Sequence, residues 1–198
     1  MLAVPALSEP IKLIVGLGNP GAEYRGTRHN AGADFVEELA ASHGVTLLPE
    51  SKFLGLAGRL QSAGMDLRLL IPTTFMNRSG AAVAAMCQFY KIDAVNMLVA
   101  HDELDFEPGI ARFKDGGGHG GHNGLRDIVK AVGADFLRLR LGIGHPGSAP
   151  QVTNFVLKAP SQADRKLIDD SIADSISALP DLVAGQWTDA TRQLHSSN

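Results

Sequence analysis

The chain has one cysteine in 198 residues, so no internal disulfide is available to it. Cys87 falls within a helical apolar pattern, and a reduced, cytoplasmic protein is the simple inference. No apolar run approaches the roughly 20 residues that a membrane helix needs. Residues 1–10 lack a basic start and a long apolar stretch, so they read as a loose leader and not as a signal peptide. Internal repeats, linkers and low-complexity tracts are missing, apart from one glycine-rich loop. There is no G-x-S-x-G elbow for a serine nucleophile and no H-E-x-x-H helix for zinc. Nor is the chain basic overall: its net charge is −3, which by itself argues against a nucleic-acid partner. What remains is 44% hydrophobic and 20% charged residues, the composition of an ordinary soluble globular domain.

Apolar runs alternate with helical patterns, so a mixed or mostly parallel sheet flanked by helices is expected, in one domain. Residues 12–18 read as a buried strand ending in glycine, and Phe35, Val36, Leu39 and Ala40 recur at helical spacing after it. Further strands are expected at 53–60, at 65–71 with Leu67, Leu69 and Ile71 on one face, at 97–100, at 109–114 and at 138–144. Ala82, Val83, Met86, Phe89 and Tyr90 form a helical stripe. Leu125, Ile128, Val129 and Val132 form another, capped by Asn123 and stopped by Gly133. Residues 147–153 read as a polar loop. Ser161 with Asp164 resembles a capping box before the stripe Ile168, Ile172, Ile176 and Leu179, and Val183, Trp187, Ala190 and Leu194 suggest a last helix.

The average charge conceals an asymmetry. Between residues 112 and 140 six basic residues stand against three acids, an excess that fits either a solvated face or a docking surface for a polyanion. The run Gly16-Leu17-Gly18-Asn19-Pro20-Gly21 is literally a G-x-G-x-x-G. Pro20 and Gly26 nevertheless break the helix that a dinucleotide site would need, and a ribose-binding acid is missing. His29, His101, Asp102, His119 and His122 are all types that bind metal, so a metal-dependent hydrolase stays open, as does a module that only binds RNA.

A third reading uses water directly. His29 lies in the turn between a strand's carboxyl end and a helix's first turn, where open α/β sheets place their chemistry. As a general base it needs a carboxylate to hold its tautomer, and Asp102, at another strand end, is the natural orienter. Glu103 and Asp105 suit that role less, because the chain has left the strand there. Asn19, Asn77 and Asn123 each sit at a turn beside an element end, as neutral donors for an oxyanion would.

The stretch from Gly16 to Gly21, with Tyr24 and Thr27-Arg28-His29-Asn30-Ala31-Gly32, resembles the first signature of bacterial-type peptidyl-tRNA hydrolases. Pro72-Thr73-Thr74-Phe75-Met76-Asn77 with Ser79-Gly80, the run from His101 to Asp105, Gly116 to Leu125, and Arg138 to Gly147 resemble that family's other blocks, in order. The likeness runs from Ile11 to Leu194. It implies a single α/β globular domain over residues 11–198, a twisted mixed β-sheet flanked by helices. It also implies a metal-independent esterase without a cofactor, which frees peptide and tRNA by cutting the ester at the tRNA's 3′ ribose.

By that resemblance His29 is the base and Asp102 its partner, and Asn19, Asn77 and Asn123 bind substrate or position water and oxyanion. Tyr24 lies near the scissile tRNA end, Met76 lines the peptide groove, and Lys114 with Arg140 grips the 5′ phosphate. A cytoplasmic monomer in translation is implied, with peptidyl-tRNA as its partner through CCA end, acceptor stem and 5′ phosphate. No membrane and no obligate protein partner are implied. Family members often carry basic residues where this chain has Ser148-Ala149-Pro150-Gln151, so the likeness does not extend to a tRNA contact by that loop.

Overall fold

Strand β1 (Leu13–Gly16) is wholly buried, and its alternation feeds two cores. Ile14 faces one, Leu13 and Val15 the other, as the two-residue period of a strand requires. In this computed structural model, which describes residues 10–62 and 64–196, β1 lies at the centre of a seven-stranded sheet of order β2-β3-β4-β1-β5-β7-β6. The other strands are β2 (Leu48–Glu50), β3 (Gly55–Ser62), β4 (Met65–Pro72), β5 (Met97–Glu103), β6 (Ala111–Asp115) and β7 (Leu137–Gly142). The middle four, β4-β1-β5-β7, run parallel, and both margins are antiparallel. The sheet is therefore mixed, as expected. The expected leader at 1–10 lies, apart from Pro10, outside the described residues.

Helix α1 (Ala31–Ser42), α5 (Gln162–Val183) and α6 (Trp187–Ser196) bury their stripes on one face of the sheet. Helix α2 (Ser79–Tyr90) and α3 (Asn123–Val132) cover the other. Ser161 caps α5, its hydroxyl accepting from the Asp164 amide at 3.1 Å, as its position predicts. No helix among the described residues is long and apolar enough to cross a membrane.

Several expected boundaries shift for physical reasons. Phe53 falls in a 3₁₀ turn (Ser51–Phe53) before β3, because Leu54 takes a left-handed conformation, φ 51°, that ends any extended run. Phe89, expected in the α2 stripe, is 59% exposed and stacks edge-on with Phe53 at 5.4 Å. The 147–153 loop is partly helical, with a 3₁₀ turn (Ala149–Gln151) leading into the short α4 (Val152–Val156). Glu103 belongs to β5, paired with Gly142 of β7, so the chain has not left the strand there.

The chain goes from β1 to β4 on one side of the sheet and only later returns to add β5 on the other. Such a reversal opens a crevice at the carboxyl ends of the neighbouring strands, and that is where the polar residues gather.

Candidate active site

A cleft of about 930 Å³ opens over the carboxyl ends of β1, β4, β5 and β7. Asn19, His29, Met76, Asn77, Asp102, Lys114, Asn123 and Arg140 all line it, so eight of the nine residues singled out in the sequence converge. Tyr24 is not among the lining residues. It reaches the cleft through Phe75, which does line it and meets the Tyr24 ring edge-on at 6.4 Å.

His29 stands in a 3₁₀ turn (Arg28–Asn30) that runs straight into α1. Its Nδ1 lies 2.9 Å from Asp102 Oδ1, with the imidazole 12% and the carboxylate 2% exposed. The same oxygen, Oδ1, also receives His122 Nε2 at 2.9 Å. Both protons are set by this geometry. The His122 Nδ1 accepts the amides of Gly124 and Leu125 at 3.2 and 3.3 Å, which puts its hydrogen on Nε2. The His29 hydrogen belongs on Nδ1, toward the carboxylate, and Nε2 is left as a lone pair with no partner among the described residues.

Burial alone would depress the His29 imidazole, but the Asp102 charge and hydrogen bond outweigh it and raise the group above the usual histidine value. Burial would likewise raise Asp102, yet the two flanking imidazoles hold it well below the ordinary carboxylate range. Behind them His101 is buried, its Nδ1 2.8 Å from the Asp102 carbonyl. Burial first, and then the neighbouring His122, push it down to about 3, so it is uncharged at neutral pH.

The ligand atoms of His29, Asp102 and His122 lie within 4.8 Å of one another, close enough to consider a metal. Both ring nitrogens, however, aim at one carboxylate oxygen at hydrogen-bond distance and not at a shared vacant point. A cation could enter only by opening both hydrogen bonds. The donor set fits two shared protons.

Asn19 follows the end of β1 and is braced on both sides. Its amide N–H donates to Asn30 Oδ1 at 2.9 Å, and its carbonyl accepts from Asn30 Nδ2 at 3.0 Å. The Met76 amide donates to Asn19 Oδ1 at 2.9 Å, so the side-chain oxygen is occupied and the NH₂ group remains to face a ligand. Asn123 is likewise held through its oxygen, which accepts from Arg126 at 3.0 Å. It does not cap α3 as expected. His122 does, one residue earlier, because its imidazole nitrogen reaches the two free amides of the first turn. Asn77 lies exposed in the 3₁₀ turn Met76–Arg78, and Met76 is buried beneath it.

The basic side of the cleft has its own supports. Arg140 on β7 is clamped by Glu103 at 2.8 Å and lies 4.3 Å from the centre of the Phe106 ring. Arg138, one of the six basic residues between 112 and 140, is only 2% exposed, and its guanidinium binds the carbonyls of Gly117 and Gly118. It thereby pins the glycine loop that leads to His122. Lys114 on β6 projects into solvent at the cleft margin. The His122 and Glu103 roles escape a sequence reading. The first sits behind six residues with no periodicity, and the second depends on a strand running three residues past its apolar core.

The family model described as Peptidyl-tRNA hydrolase matches residues 13–198. A peptidyl-tRNA hydrolase of Pseudomonas savastanoi pv. phaseolicola is 60% identical over 188 residues, covering 94% of this chain and 97% of the relative. One of Chromohalobacter salexigens is 57% identical over 190 residues, covering 95% and 98%. The crystal structure of the peptidyl-tRNA hydrolase from Acinetobacter baumannii superposes with a TM-score of 0.92 at 50% identity, covering 98% of this chain and 97% of that one. A cleft with a carboxylate-bound imidazole at its floor, on a fold and sequence shared at this level from end to end, places the chain in the peptidyl-tRNA hydrolase family of enzymes.

Proposed function

We propose that His29 is the general base of this peptidyl-tRNA hydrolase and that Asp102 orients it. The observation carrying the reading is the 2.9 Å contact between His29 Nδ1 and Asp102 Oδ1, which leaves Nε2 as the acceptor on the cleft side. Water gives a proton to Nε2 as its oxygen attacks the acyl carbon of the ester. The resulting oxyanion takes hydrogen bonds from the Asn19 and Asn123 amides, with Asn77 beside the acyl group. The C–O3′ bond then breaks as the His29 imidazolium returns its proton to the ribose oxygen. The tRNA 3′-hydroxyl leaves with the peptide acid, which gives its remaining proton to solvent and departs as the carboxylate. No step draws on a metal or a cofactor.

On this reading Met76 floors the groove for the peptide, and Tyr24 with Phe75 borders the CCA end. Lys114 and the Glu103-braced Arg140 grip the 5′ phosphate, the acceptor stem lying between them and His29. The excess of basic side chains between residues 112 and 140 supports that contact. We read the protein as a cytoplasmic monomer needing no membrane and no protein partner, with its single cysteine buried.

The test is His29→Ala with an N-blocked aminoacyl-tRNA, assayed in the presence of a chelator. Native protein should release the amino acid, and the variant should bind the tRNA with native affinity while releasing almost none. Near-native turnover by the variant would remove His29 from the role. Loss of native activity on chelation, restored by zinc or manganese, would favour a metal mechanism instead.

A further inference from the structure

One wall of the cleft is formed by residues 149–157, the 3₁₀ turn and α4, with Val152, Val156 and Leu157 facing inward. A helix of five residues has almost no carbonyl satisfied within itself, so its far end needs outside donors. The Leu157 and Lys158 amides reach the Thr153 and Phe155 carbonyls at 3.3 Å, and one side chain adds to them. Nη1 of Arg28 lies 3.4, 3.3 and 3.1 Å from the carbonyl oxygens of Phe155, Lys158 and Ala159. The Arg28 backbone amide donates to the Lys158 carbonyl at 3.2 Å. The guanidinium carbon is 4.0 Å from the centre of the Phe155 ring, and Nη2 lies 3.6 Å from Asp164 Oδ2 in the first turn of α5. This cation is 11% exposed, and its Nε is buried with no partner. The fork is thus placed to suit the carbonyls at 155–159, with its own hydrogen bonding left incomplete.

Arg28 and His29 are consecutive residues of the same 3₁₀ turn. Their side chains part in opposite directions, one to Asp102 at the cleft floor and one to the end of α4 in the cleft wall. We propose that Arg28 is a positioning residue that joins the 149–157 wall to the His29 turn, so that substrate seated against the wall is held in register with Nε2. The inference rests on the reading of His29 as base. A lysine in its place would reach one carbonyl and could not lie flat on Phe155, so the charge alone does not reproduce the link.

Without the link the wall and the base move independently, and misplacing a reacting atom by about 1 Å costs on the order of a hundredfold in rate. The groups facing His29 are Asp102 from β5 and His122 from the residue before α3; the Arg28 variants replace neither, but free the turn that holds His29 against Asp102. Asp102 raises His29, so a loosened contact lets the imidazole fall toward its ordinary value and carries the acid limb of the pH profile to lower pH.

The experiment compares native protein, Arg28→Ala and Arg28→Lys by kcat, KM and the pH profile of kcat/KM on an N-blocked aminoacyl-tRNA. Hydrogen exchange of the amides at 152–158 is followed alongside. Arg28→Ala should lower kcat about tenfold or more with KM within about threefold. Its acid limb should lie below native, with faster exchange at 152–158, and Arg28→Lys should recover part of each. Faster exchange with native kcat and a native acid limb would reduce Arg28 to a structural cap and overturn the proposal. So would a fall in kcat matching only the loss of folded protein. Should Arg28→Ala not fold, the lysine variant decides by the same two readings. A dead His29→Ala beside a fully active Arg28→Ala fails this inference alone, whereas an active His29→Ala fails the reading beneath it.

Discussion

One carboxylate oxygen shared by two imidazoles assigns them different tasks. His122 is locked from behind by two backbone amides, so it can only donate to Asp102 and hold it still. His29 has no hydrogen-bond partner on its far nitrogen among the described residues, and on the proposed reading that nitrogen accepts a proton. Asp102→Asn removes the negative charge if its Oδ1 stays facing both rings, and sets a donor against both N–H groups if its NH₂ takes that place. Turnover should fall by roughly two orders of magnitude or more, measured as kcat on an N-blocked aminoacyl-tRNA. The pH dependence carries a sign. On the proposed reading the base works unprotonated, and Asp102 raises His29 above the usual histidine value, so activity should be lost as pH falls through that raised value. In Asp102→Asn the limb should move to lower pH. The carboxylate acts oppositely on folding: its depressed value stabilises the native state above about pH 4, and that contribution disappears as pH falls further. His29 and Asp102 are legible in the sequence because one lies in the polar turn between an apolar strand and a helical stripe and the other follows an apolar strand run. His122 is not, since the glycines before it carry no period and Asn123 next to it is the better cap by residue type.

At the scale of elements, the height of the His29 turn above the sheet is fixed by main chain pressed on main chain. A Cβ on Gly32, in the first turn of α1, would lie 2.2 Å from the Ala100 carbonyl oxygen and 2.7 Å from the Leu17 amide nitrogen. One on Gly16 would lie 2.3 Å from the Gly32 carbonyl oxygen. The Leu17 amide donates across this seam to Ala100 at 3.0 Å, and the Ala33 amide to Leu17 at 2.9 Å. Gly32→Ala should therefore destabilise by about 3 kcal/mol, the upper range for overpacking. For a chain of this length that lowers the melting temperature by roughly 6–12 °C, readable by calorimetry. An unchanged transition would mean that α1 can lift off the sheet. The element types are legible from periodicity, as the 65–71 strand and the α5 stripe show. Their ends are not, because caps such as His122 and the left-handed Leu54 are decided by contacts and turns that no period encodes.

For the whole molecule, a net charge of −3 coexists with a local basic excess because only three acids fall between residues 112 and 140. Lys114→Ala should raise KM more than it lowers kcat, and reduce the salt slope of tRNA binding by about one unit. An identical salt dependence in variant and native protein would take Lys114 out of the phosphate contact. The sequence shows the charge excess but not its division of labour. Arg138 and Arg140 are two residues apart on one strand and both line the cleft, yet Arg138 is folded onto the glycine-loop carbonyls whereas Arg140 is braced by Glu103.

The order β4-β1-β5-β7 has a consequence for the protein's own synthesis. Asp102 gains its flanking strand only when residues 137–142 arrive, and the wall at 149–157 comes later still. During most of its translation the growing polypeptide is itself joined to tRNA through the kind of bond this family cuts. A ribosome halted before β7 emerges thus carries a chain with no assembled cleft, unable to sever its own attachment.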